Sequence, residues 1–163
     1  MNYLYAPWRD AYFSEKVEGC VFCNLSNNPQ LDAKHHVLYR DEYCFIVMNR
    51  YPYSPGHIMV IPHYHTDALE SLEDQAWLHT SFIVKQCVKM LKMGLEAQGV
   101  NLGMNLGKSA GAGIAEHVHY HIVPRWIGDT NFITTVANTR VYSTDFEKIY
   151  QKFKSLIPKF IVC

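Results

Sequence analysis

The stretch His117-Val118-His119-Tyr120-His121-Ile122-Val123-Pro124-Arg125-Trp126 sets three histidines at strict alternation, with an apolar or aromatic residue between each pair. Successive side chains of a β-strand point to opposite faces, so residues two apart share a face. Read as a strand, His117, His119 and His121 form one row, and Val118, Tyr120 and Ile122 turn the other way into a core. A helix would scatter the same three residues in steps of about 200°. Three imidazoles in a row suit phosphate binding, nucleophilic attack or metal ligation. The bland alternative is an exposed strand face that happens to carry histidine. Imidazole titrates near neutral pH, which makes such a row chemically versatile.

Working outward, Lys108-Ser109-Ala110-Gly111-Ala112-Gly113-Ile114 is a loop of small residues just before the row, and its amides can wrap anionic oxygens. Val100 to Gly107 reads as a strand whose glycines suggest a bulge or a close approach of backbone or ligand. Further back, 35–40 and 43–48 pattern as a hairpin around Arg40-Asp41-Glu42. Asn49 to Gly56 is a loop held by Pro52, Pro55 and Gly56. His57 to Pro62 is the next strand, with His57 at its mouth, where Gly56 lets backbone approach a ligand.

Ser71 with Asp74 resembles a capping box. Trp77, Val84, Cys87, Val88, Leu91 and Leu95 then recur at three- and four-residue spacing, a helix with one apolar stripe that Gly99 stops. Thr144-x-x-Glu147 is a second capping box, opening a helix of about ten residues that Pro158 ends.

At 163 residues, 48% hydrophobic and 18% charged, the chain is sized and composed as one folded domain. A formal net charge of zero argues against a chain built for nucleic acid or an anionic membrane. Residues 1–19 form an aromatic arm (Tyr3, Tyr5, Trp8, Tyr12, Phe13), expected to pack across the domain or onto a partner subunit. The five cysteines lack a disulfide-framework spacing, and the N-terminus has no apolar signal region. With no long apolar run, a cytoplasmic protein is expected.

Cys20-Val21-Phe22-Cys23 is a CxxC knuckle, half of a four-ligand zinc site by itself. Two incidental cysteines or a redox pair are its other readings, although the turn-rich Asn24 to Pro29 offers no helix to follow.

A neutral imidazole can attack an activated phosphorus and form a phosphoramidate, dividing one hard displacement into two easier ones. In a row of three, His119 has neighbours on both sides that can orient it, which makes it the candidate nucleophile. The Gly111 to Ile114 amides, His121, Asn105 and Arg125 are candidate donors to the phosphate charge. A hydrolytic metal centre usually adds carboxylates. The only acid beside the row is Glu116, which a strand would turn to the opposite face.

With these residues in view, the chain resembles the histidine triad (HIT) family, marked by His-φ-His-φ-His-φ-φ, and the likeness runs through nearly the whole chain. Within the family it is most similar to the bacterial branch related to diadenosine tetraphosphate phosphorylase and hydrolase. That likeness rests on Trp8-Arg9, Gly19-Cys20-x-Phe22-Cys23, Tyr51-Pro52-Tyr53-x-Pro55-Gly56-His57, the Ala110 to Ile114 loop and Pro124-Arg125-Trp126-x-Gly128-Asp129-Thr130-Asn131-Phe132. The resemblance implies an α+β fold: a five-stranded antiparallel sheet with a long helix packed on it and a short C-terminal helix. It implies a single HIT-like domain that pairs into homodimers.

It further implies that His119 attacks the α-phosphorus of a nucleotide and passes the nucleotidyl group to water or phosphate. His57, His117 and His121 would support it, Asn49 would contact the ribose, and Asn105, Gly111, Gly113 and Ile114 would hold the phosphates, with Arg125 and Trp126 beside them. A purine nucleoside phosphoramidase and a nucleotide-binding module with slow or incidental chemistry are the alternatives. Many relatives carry Ser or Gln just before the triad; Ala112 and Gly113 stand here, leaving that work to backbone amides. The resemblance also completes the knuckle with a structural zinc held by Cys20, Cys23, His65 and His117, His63 being the alternative to His65.

Overall fold

A computed structural model of the chain describes residues 19–137 and 144–162. The aromatic arm, apart from Gly19, lies outside them. Five strands form one antiparallel sheet in the order β1-β2-β3-β5-β4: β1 (Val37–Arg40), β2 (Cys44–Met48), β3 (Ile58–Pro62), β4 (Gly99–Gly103) and β5 (Tyr120–Arg125). The helices are α1 (Val21–Asn27), α2 (Asp74–Gly94), α3 (Phe132–Ala137) and α4 (Phe146–Phe160). This is the expected α+β architecture.

Strands β2 and β3 are buried throughout because both faces of the sheet are covered. One parity, Cys44, Ile46 and Met48 with Ile58 and Val60, packs under Ile83, Val84, Cys87, Met90 and Leu91 of α2 and Phe153 of α4. The other parity, Phe45 and Val47 with Met59 and Ile61, meets Phe22 of α1. Met59 pairs with His121, so His121 stands on the α1 face, while its neighbours Tyr120 and Ile122 join the α2 core.

Several local expectations are corrected. The turn-rich sequence after Cys20 does form a helix, α1, because tertiary contacts hold it. Phe22 is 2% exposed, and Arg40 donates to the carbonyls of Leu25 and Ser26 at its C-terminal end while paired with Asp32. The row of histidines is only partly strand: β5 begins at Tyr120, and His117 and His119 approach it in irregular backbone. β4 ends at Gly103, short of Gly107.

The long helix is entered from Glu73 without a side-chain cap, Ser71 lying in a preceding 3-10 turn. It ends at Gly94, because Glu96 takes φ 56° and breaks the helical path before Gly99. Gly94 is a packing glycine: a Cβ there would sit 2.5 Å from Leu156 Cδ1. Asp145, not Thr144, caps α4 by accepting from the Lys148 amide. Pro158 is carried inside its last turn rather than stopping it.

Gly56 has φ 79°, and a Cβ there would lie 2.8 Å from Leu95 Cδ1. Its close approach is to the helix-side core, not to a ligand.

Candidate active site

The α1 face is only partly filled. Between α1, the end of β2, the loop 49–57 and the start of β5 lies a cleft of about 240 Å³. Phe22, Leu25, Val47 and Met59 give it an apolar wall; Asn49, Asn105, Gly113, Ile114, His119 and His121 line it as well. An apolar slot bordered by a few convergent polar groups is the usual form of a small-molecule site.

The proton positions on the histidines follow from partners that have only one role. The His117 carbonyl can only accept, so His119 Nδ1–H donates to it at 2.8 Å. In the neutral ring this leaves the lone pair on His119 Nε2. The Tyr53 amide can only donate, and it does so to His57 Nδ1 at 3.1 Å. His57 Nε2–H must then donate to His121 Nδ1, 3.0 Å away. His121 therefore carries its proton on Nε2. A main-chain amide thus fixes a relay that ends in an N–H donor next to a ring with a bare nitrogen. The His119 and His121 rings stand 4.8 Å apart.

All of these rings are kept neutral. Burial, then His121 and His119, pulls His57 down to about 3; burial, then His119, pulls His121 down to about 4. Burial also lowers His119, partly opposed by its bond to the His117 carbonyl. Neutrality is what a nitrogen nucleophile needs.

His117 faces away from the cleft. Its Nε2–H donates to the Pro62 carbonyl at 2.9 Å, so its Nδ1 lone pair points at Cys20 Sγ (3.4 Å) and Cys23 Sγ (3.7 Å). His65 Nδ1 completes the group, 3.1 Å from Cys23 Sγ and 3.3 Å from His117 Nδ1. The four ligand atoms lie within 4.8 Å of one another. A tetrahedral ion with bonds of about 2.0–2.3 Å would set such atoms roughly 3.3–3.8 Å apart, and the separations found here, 3.1, 3.3, 3.4 and 3.7 Å, are close to that. The carbonyl bond on the far nitrogen is the usual orienting partner of a metal-bound histidine. Burial and then the Cys20 thiol push the Cys23 thiol up to about 11. Two thiols so close resist ionising together unless a cation joins them. The donor set therefore fits a metal of the zinc type.

His63 is excluded from this group by its own bonds: Ser26 Oγ lies 2.7 Å from its Nδ1, and its Nε2 donates to the Asp41 carbonyl at 3.0 Å.

The HIT domain model matches residues 30–126, more than half of the chain. The chain belongs to the HIT family. An AP-4-A phosphorylase of Mycobacterium tuberculosis is 41% identical over 114 residues, 69% of this chain and 58% of that protein. This HIT chain thus spans little more than half the length of that relative. The adenosine 5'-monophosphoramidase of Saccharomyces cerevisiae is 26% identical over 140 residues, covering 86% of this chain and 82% of its own. Among solved structures, a zinc-bound histidine triad family protein of Mycobacterium smegmatis superposes with a TM-score of 0.71 at 27% identity, covering 86% of this chain and 94% of that one.

Within this HIT chain, Asn49, Asn105, Gly113, Ile114, His119 and His121 meet at the cleft, with His57 behind His121. Three other expected residues stand elsewhere. Arg125 is held by Asp129 through Nε (2.6 Å) and Nη2 (2.8 Å) and donates to Asn101, so its charge is committed outside the cleft. Trp126 packs against the helix-side core. Gly111 is the exposed, left-handed end of a 3-10 turn and does not line the cleft. Sequence reasoning missed Phe22 as a wall residue: its ring packs on both His117 (5.6 Å) and His119 (4.8 Å). It also missed His35, and it treated Tyr53 as part of a motif rather than as a cleft residue. The available signal for Phe22 was the CxxC spacing, which places two apolar residues, Val21 and Phe22, between two candidate ligands.

Proposed function

We propose that this HIT chain transfers or hydrolyses nucleotidyl groups of dinucleoside polyphosphates of the diadenosine tetraphosphate type through a His119 intermediate. One observation carries the reading: His119 presents a bare Nε2 to the cleft beside the Nε2–H of His121. The base enters the apolar slot under α1, and Asn49 contacts the ribose. His119 Nε2 bonds to the α-phosphorus as the bond from phosphorus to the leaving polyphosphate oxygen breaks. His121 Nε2–H and the amides around Gly113 and Ile114 stabilise the equatorial oxygens. Water or inorganic phosphate then attacks the same phosphorus, breaks the phosphorus–nitrogen bond and restores neutral His119. The water's proton goes to the released phosphate.

A polyphosphate leaves as a stable anion and needs little protonation, whereas an amine leaving group needs a proton. Ala112 and Gly113 offer no side-chain proton donor just before the histidine row, which favours the polyphosphate. The AP-4-A phosphorylase relative supports the same class. The monophosphoramidase relative supports a second reading, hydrolysis of purine nucleoside phosphoramidates.

Zinc on Cys20, Cys23, His65 and His117 would neutralise the paired thiolates and cross-link α1 to the approach of β5. His117, so fixed, offers its carbonyl to His119 at a constant angle and takes no part in the displacement. Two copies are proposed to pair as a homodimer, which sedimentation equilibrium would test.

The test of the reaction is incubation with diadenosine tetraphosphate with and without inorganic phosphate. ADP and ATP only with phosphate indicate a phosphorylase; AMP and ATP without it indicate a hydrolase. AMP from adenosine 5'-phosphoramidate alone would transfer the assignment to the second reading. His119→Ala is expected to lower turnover roughly a thousandfold or more while circular dichroism stays native. Near-normal turnover by that variant would sink the mechanism.

A further inference from the structure

The cleft has two unlike ends. At one end, Phe22, Leu25 and Val47 enclose an apolar slot between α1 and the sheet, and Phe22 rests on His119. At the other end stands the loop between β2 and β3, which contributes Arg50, Tyr51 and Tyr53. The Tyr53 ring lies over His57 at 4.7 Å and over His121 at 5.7 Å, inclined to them by 35° and 33°. It is nevertheless 48% exposed. One side of the ring covers the relay, and much of the remainder is open to solvent at the cleft mouth. Beside it the Arg50 guanidinium sits 5.9 Å from the Tyr51 ring centre, which puts a cation in the same loop.

We propose that Tyr53 is the stacking platform for the second nucleoside of a dinucleoside polyphosphate, the one that departs with the leaving group. The inference rests on the nucleotidyl-transfer reading above and specifies which substrates that site selects. The argument is one of position. The first base occupies the enclosed slot, and the α-phosphate stands at His119. A phosphate chain continuing past the His121 donor runs toward the loop 49–57, where Arg50 adds positive charge and Tyr53 offers an aromatic face. A base stacks on such a face with little regard to its identity, because every base has a π-surface. A substrate lacking the second base would forgo this contact and keep all the others. The loop would thereby set a preference for dinucleoside over mononucleoside polyphosphates without touching the reacting atoms.

The ring also shields His57 and His121, so losing it could weaken the site generally. The test therefore compares two ligands that share the first nucleoside and the four phosphates, diadenosine tetraphosphate and adenosine 5'-tetraphosphate. The latter lacks the second nucleoside and carries extra terminal charge, which the ratio between Tyr53 variants cancels. Their affinities are measured by calorimetry in a His119→Ala background, where no turnover interferes. With Tyr53 present, diadenosine tetraphosphate is expected to bind about tenfold more tightly than adenosine 5'-tetraphosphate. Tyr53→Ala is expected to bring the two within about twofold, and Tyr53→Phe to retain the preference. A purely structural role for the ring would weaken both ligands together and leave their ratio intact, which would overturn the proposal. Equal affinities with Tyr53 present would also overturn it. If neither ligand binds, the nucleotide reading itself fails and this proposal fails with it; loss of the ratio alone leaves that reading standing.

Discussion

Two groups of histidines lie back to back in this protein, and they solve opposite problems. At the knuckle, His65 and His117 turn the same ring nitrogen, Nδ1, toward each other and toward two sulfurs. At the cleft, His57 and His121 meet donor to acceptor. Converging lone pairs repel and call for a cation, whereas a donor-to-acceptor sequence is complete without one. The groups are separated only by His117 to His119, where the carbonyl of one residue holds the ring of the other. The difference teaches that histidine count says little; which nitrogen faces which partner decides between a ligand set and a reaction surface.

The comparison can be broken most severely at the knuckle. Cys23→Ser is expected to reduce bound zinc, measured by atomic absorption, from one per chain to near none. The cost should be roughly 3 kcal/mol, lowering Tm by roughly 6–12 °C. Retained zinc at full stoichiometry would contradict the four-residue set.

The cleft relay is tested by pH. His57 and His121 titrate far below the usual histidine range in the folded chain, to about 3 and about 4. An unfolded histidine binds its proton near 6.5. The unfolded state therefore binds more protons below that pH, and stability falls as pH drops from about 6.5 toward 4. His57 alone should contribute a slope of about 1.4 kcal/mol per pH unit in that window. Urea titrations at pH 7, 6 and 5 would measure it, and His57→Gln should flatten the curve by that amount. An unaltered slope in the variant would mean that His57 is not held neutral by the fold.

The smallest effect belongs to the near neighbour that joins neither group. His63→Asn should leave zinc stoichiometry unchanged and cost about 1 kcal/mol, the value of its bonds to Ser26 and the Asp41 carbonyl. Loss of zinc in this variant would move the ligand assignment from His65 to His63.

The sequence made the shared face of the histidines legible, because alternation survives even where His117 and His119 lie outside the regular strand. The long α2 stripe was legible for the same reason, its period being repeated over several turns. What could not be read depends on residues distant in the chain. Helix α1 looks like a turn in isolation, because Arg40 and the burial of Phe22 hold it. Arg125 looked like a phosphate ligand, but Asp129, four residues on, captures it. No pattern in the sequence reveals which nitrogen of His57 is protonated, because that follows from the amide of Tyr53 meeting its ring. Pro158 reads as a stop, yet the final turn of α4 accommodates it.

That amide has a consequence for how the site can vary. A peptide N–H holds its proton throughout the pH range in which enzymes work, so the direction of the relay is inscribed in the main chain. Side chains at position 53 can drift in size and polarity, altering what docks at the mouth, while the orientation of the His121 proton stays inherited from the backbone. Proline is the one exception, because it alone removes the hydrogen that orders the rings. Substrate preference and proton order thus meet at a single residue but answer to different parts of it.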